Sequence, residues 1–239
     1  MTLVLAELPA STQEAVAATR ERVAALHAEL PRNQLVVWTA GNVSERVPAT
    51  DPEVPALLVI KPSGVSYDEL TAENMVVCTL DGKKIVDGTS DALTPSSDTA
   101  AHAYVYAHMD EVGGVVHTHS TYATAWAARG EEIPCVLTMM ADEFGGPVPI
   151  GPFAIIGDDS IGHGIVETLR GHRSPAVLMQ NHGPFTIGKD ARAAVKAAVM
   201  VEEVARTVHI SRQLGEPLPI AQQHIDSLYD RYQNVYGQR

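Results

Sequence analysis

Only two cysteines, Cys78 and Cys135, occur in 239 residues. One pair cannot staple a chain of this size, and no Cys-x-x-Cys pattern offers a zinc knuckle. Both read as reduced, buried small side chains. Long apolar runs are also missing. No stretch reaches the roughly 20 apolar residues that a membrane span needs. The opening MTLVLAELPASTQEA lacks the charged leader of a secretory signal. These absences make a cytoplasmic location the expectation. Basic charge is scarce: 17 lysines and arginines stand against 29 aspartates and glutamates, a formal net charge of −12. The cations are dispersed, which disfavours nucleic acid, whose phosphates need clustered Lys and Arg. A small phosphorylated ligand is not disfavoured, because backbone donors and a helix start can hold one locally.

What is present supports a full core. Hydrophobic residues make up 45% of the chain, and residues 1–239 read as one domain. The Pro/Gly-rich stretch 145–162 keeps apolar residues between its turns, so it reads as an ordered loop with a short strand. A first helix is expected over 11–30, with Ser11 and Glu14 at capping-box spacing. NQLVVWTAGNVSER (33–46) reads as a strand running into a Gly-Asn turn, and ALLVIKPSG (56–64) as a second strand. NMVVCTLDGKKIVDG (74–88) has the form of a hairpin turning at Asp81-Gly82. Residues 96–110 begin with capping types and turn helical; VGGVVHTHS is a strand, followed by a helix closed at Gly130. Residues 175–188 give a strand, a turn at Asn181-His182-Gly183 and another strand. Helices over 191–215 and about 219–235 finish the chain. Helices interleaved with strands imply a layered α/β fold.

In HTHS, side chains two apart on a strand share one face, so His117 and His119 can grip one ion. Two half-exposed strand histidines are an equal alternative for this short pattern. A catalytic zinc takes three protein ligands, and His182, in a turn after the apolar strand AVLM, is the best third. His163, His172 and His27 are discounted as solvated, and His102, His108 and His209 as packing or surface residues. Gly41-Asn42 permits close approach to a ligand, or is a plain turn. Lys61, before Pro62-Ser63-Gly64, is a cation at a strand end, or a snorkelling surface lysine. Ser96 and Ser97 stand at a helix start that favours an anion, or simply cap it. Asp98 is free to cap that helix, ligate a metal or act as a base. Together these features suggest a phosphate pocket beside a metal.

GNVSER, IKPSG, PSSDT, HTHS and NHGPF occur here in one order. In that order the chain resembles the class II aldolase/L-ribulose-5-phosphate 4-epimerase family, over roughly Ser11 to Gln238. IKPSGVSYDEL, the aspartate of SSD, ADEF (141–144) and VYGQ (235–238) are most similar to the epimerase branch. The resemblance implies a three-layer α/β/α fold around a largely antiparallel sheet. It also implies a C4 homotetramer with sites at interfaces, the helical tail from about 219 contributing to one. It implies a divalent ion, Zn²⁺ or else Mn²⁺, on His117, His119 and His182, with Asp98 as a further ligand or proton-transfer group. Asn42, Lys61, Ser63, Gly64, Ser96 and Ser97 would hold a pentulose phosphate. Asp142 and Tyr236 would be acid/base groups reaching the site from a neighbouring subunit. Here the residues around Asp142 read Met140-Ala141-Asp142-Glu143-Phe144 and depart from the epimerase pattern. The implied reaction is epimerisation of L-ribulose 5-phosphate to D-xylulose 5-phosphate, by retro-aldol cleavage of C3–C4 and its re-formation. A sugar-phosphate aldolase such as an L-fuculose-phosphate aldolase is the alternative within enzymes. A Schiff-base aldolase using Lys61 ranks lower, since a metal makes it redundant. A non-catalytic oligomerisation module is the reading from outside enzymes, and three retained histidines argue against it.

Overall fold

The computed structural model describes residues 3–235. It contains seven strands: β1 (Asn42–Arg46), β2 (Leu57–Ile60), β3 (Val76–Thr79), β4 (Gly114–His117), β5 (Ile150–Gly151), β6 (Ala176–Met179) and β7 (Gly183–Gly188). They form one sheet in the order β3-β2-β1-β4-β7-β6-β5. Every pairing is antiparallel except β5 with β6. The helices are α1 (Ala10–His27), α2 (Glu29–Arg32), α3 (Thr99–His108), α4 (Thr121–Arg129), α5 (Thr138–Phe144), α6 (Ser160–Leu169), α7 (Ala191–Leu214) and α8 (Gln222–Asn234). No helix among the described residues is long and apolar enough to cross a membrane.

The strands other than β1 are largely apolar on both faces, so both must be covered. Leu58, Ile60, Val115, Val177 and Met179 face α3 and α6. Their alternates Leu57, Val59 and Val116 meet α1 and the start of α7. Ala176 and Leu178 face α4, α5 and the rest of α7. This alternation gives the expected three layers, α/β/α, around a largely antiparallel sheet. Gly130 closes α4 in the left-handed conformation, at φ 65°. The hairpin at Asp81-Gly82 forms, although its return arm joins the sheet through a single Cys78–Lys84 bridge.

Three local expectations fail. Leu35 to Trp38 form no strand; β1 starts only at Asn42. The chain instead makes a tight turn in which the Ala40 N–H donates to the Val37 carbonyl at 3.1 Å. Trp38 takes φ 57°. The cause lies at Gly41, which has φ +77°, and where a Cβ would sit 2.9 Å from the His117 carbonyl oxygen. The chain must therefore enter β1 by a glycine-only route. Ser11 does not cap α1, because the helix already begins at Ala10 after Pro9. His27 is not solvated: it is 1% exposed. Its Nδ1 bonds the Val23 carbonyl at 2.7 Å, and its Nε2 accepts the Val43 N–H at 3.0 Å. The end of α1 is thereby tied to the start of β1.

Candidate metal centre

The centre forms where β1, β4 and β7 end together. Asn42 lies opposite His117, and His117 opposite Phe185. His117 is the last residue of β4, so His119 is placed by the chain after the strand rather than by strand alternation. The turn between β6 and β7 brings in His182, with Asn181 at φ 59°. Gly183 lets that turn close, since a Cβ there would lie 2.7 Å from the Thr118 carbonyl oxygen. One candidate ligand atom from each of His117, His119 and His182 lies within 4.8 Å of the others. Among the described residues this is the one such cluster.

The chemistry of these donors suits a divalent ion. The His117 ring is held between two contacts. It stacks on Phe185 at 4.1 Å, and its Nδ1 bonds the Pro184 carbonyl at 3.1 Å. A carbonyl accepts, so Nδ1 carries the proton and Nε2 presents a bare lone pair. That Nε2 is buried without a protein partner. Burial holds all three rings below the ordinary imidazole range. The neighbouring histidines add to this at His117, while Asp98 opposes it at His119 and His182. The neutral ring is the form that binds metal.

A cavity of about 310 Å³ opens on the triad. Asn42, Lys61, Ser63, Gly64, Ser96, Ser97 and Asp98 all line it, together with Thr39, Ala40, Gly41 and Ile156. The structure therefore brings together nearly every residue singled out in the sequence. Asp98 does not cap α3: no side-chain cap bond exists there. Its Oδ2 instead accepts from Asn42 Nδ2 at 2.7 Å, and its Oδ1 is buried without a partner. Asn42 Nδ2 also donates to Ser96 Oγ at 3.0 Å. Lys61 does not snorkel; it is 2% exposed, and its Nζ donates to the Thr39 and Pro62 carbonyls, each at 3.3 Å. Burial lowers its pKa to about 8. Loops 61–63 and 94–96 are joined by Ser63 N to Thr94 O at 2.9 Å and Ser96 N to Lys61 O at 3.0 Å. This pairing sets the lysine and the serines on one wall. A larger cavity of about 580 Å³, lined by Arg170, Arg173 and Lys189, lies at the opposite end of β4 and β7 and holds no such ligand cluster.

Two predicted residues stand elsewhere. Asp142, on α5, does not line this cavity, and its Oδ1 is buried without a partner. Tyr236 lies outside the described residues. His102, read in the sequence as a packing or surface residue, does not line the cavity; it is fully buried and bonds Ser44 Oγ at 2.7 Å. It shares one face of α3 with Asp98 and Tyr106, which stand four residues before and after it.

Solved structures share the fold. An L-fuculose 1-phosphate aldolase superposes with a TM-score of 0.80 at 24% identity, over 90% of this chain and 96% of that one. The L-fuculose 1-phosphate aldolase of Glaciozyma antarctica PI12 gives 0.76 at 19% identity, over 95% and 87%. YgbL of Klebsiella pneumoniae, described in the alternative as aldolase, epimerase or decarboxylase, gives 0.74 at 28% identity, over 89% and 98%. The sequence profile of the class II aldolase and adducin N-terminal domain matches residues 21–209. That span holds every residue of the cavity and most of the 239-residue chain, and the protein therefore belongs to the class II aldolase and adducin N-terminal domain family.

Proposed function

We propose that the protein breaks a carbon–carbon bond near the carbonyl of a ketose phosphate, using a divalent metal, Zn²⁺ or Mn²⁺, on His117, His119 and His182. We further propose that its reaction is the epimerisation of L-ribulose 5-phosphate to D-xylulose 5-phosphate. The observation that carries this reading is the meeting of three neutral imidazoles with a buried, unpaired ammonium in one cavity. The metal, when bound, supplies Lewis-acid polarisation of substrate oxygens.

The chain's own residues do the rest. Lys61 and the donors around Ser63, Gly64, Ser96 and Ser97 hold the phosphate. The cavity there offers a cation without a carboxylate partner, which an anionic ligand would supply. Asn42 fixes one oxygen of Asp98, and the other, buried without a partner, is the further ligand or proton acceptor in this proposal. Inversion requires groups on both faces of the broken bond. In this proposal Asp142 and Tyr236 supply them from a neighbouring copy of a C4 homotetramer, because Asp142 stands outside its own chain's cavity.

A second reading keeps the same bond cleavage but releases the aldehyde, as an L-fuculose-phosphate type aldolase would. Among the described residues Asp98 is the one carboxylate that lines the cavity, which favours this reading. Zinc-loaded protein incubated separately with L-ribulose 5-phosphate and L-fuculose 1-phosphate separates the two. D-Xylulose 5-phosphate as the main product supports the epimerase, and dihydroxyacetone phosphate with free aldehyde supports the aldolase. Turnover of neither, or turnover undiminished after chelation, overturns the proposal.

A further inference from the structure

β1 and α3 meet along two polar stripes. Asn42, Ser44 and Arg46 alternate onto one face of the strand; Asp98, His102 and Tyr106 recur every four residues along the helix and its cap. The rungs are Asn42 Nδ2 to Asp98 Oδ2 at 2.7 Å, Ser44 Oγ with His102 Nδ1 at 2.7 Å, and Ser44 Oγ with Tyr106 Oη at 2.8 Å. At the far end the Arg46 guanidinium donates to the Tyr106 carbonyl and lies 5.3 Å from the centre of its ring.

Either atom of each Ser44 bond can be the donor; with the His102 proton on Nε2, Ser44 donates to Nδ1 and Tyr106 donates to Ser44. That Nε2 is buried without a partner. Asp98 Oδ1, an acceptor one helical turn earlier on the same face, is equally buried and equally unpartnered. Asp98 is also the foremost charge acting on the His102 ring. Buried donors and acceptors are nearly always satisfied.

We infer that His102 is a positioning residue: with the ring proton on Nε2, that N–H is given to Asp98 Oδ1 through one bridging water. Asn42 and His102 then hold one carboxylate oxygen each, and Asp98 is aimed at the triad. A carboxylate oxygen has lone pairs enough to accept from His102 and still face an ion. The inference rests on the proposal that the triad holds a metal.

Two substitutions test it, because they keep different nitrogens. His102→Asn places an amide near Nδ1 and loses the reach to Asp98. His102→Gln places its amide near Nε2 and keeps it. Zn²⁺ affinity is measured by competition with a chromogenic chelator, alongside kcat and the melting temperature of the metal-free proteins. Asn is expected to weaken zinc binding by roughly 10–100-fold, the usual effect of losing a group that orients a ligand. Gln is expected to restore most of it, at similar metal-free stability. Equal loss in both variants would assign His102 a packing role only, and an Asn variant with unchanged zinc affinity would overturn the inference outright. Should neither variant fold, Ser44→Ala, which unseats the ring, must lower zinc affinity, and unchanged affinity contradicts the claim. Wild-type protein that takes up no zinc at the triad would instead bring down the metal reading itself.

Discussion

Lys61 carries a charge into the core of the site, where its Nζ meets two carbonyl oxygens and, at 5.5 Å from the ring centre, the face of Tyr67. Among the described residues no carboxylate lies within ion-pair distance of it. Burial lowers its pKa from 10.5 to about 8. The sign of the linkage follows: below about pH 8 the fold bears the cost of the buried ammonium, and the cost fades as pH rises toward 10.5. Lys61→Met should therefore melt higher at pH 7, by of order 1 kcal/mol or roughly 2–4 °C, and the advantage should shrink above pH 8. The same variant should lose binding of a sugar phosphate in calorimetry. A lower melting temperature at pH 7 would contradict this account of the lysine. In wild type, anion affinity should fall as pH passes about 8, since the neutral amine no longer attracts phosphate. The burial of Lys61 was not legible in the sequence, because IKPSG fits a snorkelling side chain as well as a buried one. The histidines were more legible. His117 ends a fully buried strand and His182 sits in the tight turn after another, just before Gly183, both visible as local patterns. The packing place of His102 was legible from its helix, whereas its bond to Ser44, 58 residues away, was not, because a local reading cannot see it.

At the scale of elements, the join between α1 and β1 decides how Asn42 is presented. His27 makes that join by accepting the Val43 N–H on Nε2. Protonation would set two N–H groups against each other, and burial lowers the ring's pKa to about 3. Its contribution to stability is therefore complete above the unfolded value near 6.5 and is lost as pH falls toward 3. Melting temperature plotted from pH 7 to 4 should fall more steeply in wild type than in His27→Gln, whose amide does not titrate. Parallel curves would remove His27 from this role. The neighbouring loop shows the limit of composition as a guide. LVVW has strand-forming residues, and Leu35 is buried. Val37 and Trp38, in contrast, are 74% and 83% exposed. The left-handed route through Gly41 turns the chain before it can pair, and that constraint arises from the His117 backbone packed against it. Helices α1, α3, α4, α7 and α8 were easier to read, whereas α5 and α6 were not anticipated, the start of α6 falling in the stretch read as a loop.

For the molecule as a whole, the layered architecture was legible from alternating elements, whereas the strand order was not. β1 pairs with β4 across an intervening hairpin and α3, and this places Asn42 beside His117. Long-range pairing of that kind builds the site: residues between 39 and 182 converge on one cavity. Among the described residues the cavity holds metal-ligand candidates and anion donors but no carboxylate besides Asp98, so the epimerase proposal makes the oligomer part of the enzyme. Mixing Asp142→Asn protein with His119→Asn protein should then recover part of the activity that each lacks alone, since hybrid tetramers would contain intact sites; no recovery would contradict shared sites. The central claim, that the triad is a metal centre, is tested most directly by equilibrium dialysis against Zn²⁺ of wild type and His182→Asn. The account predicts one tightly held ion per chain in wild type and its loss in the variant with the fold intact. Equal zinc content and affinity in the two proteins would contradict it.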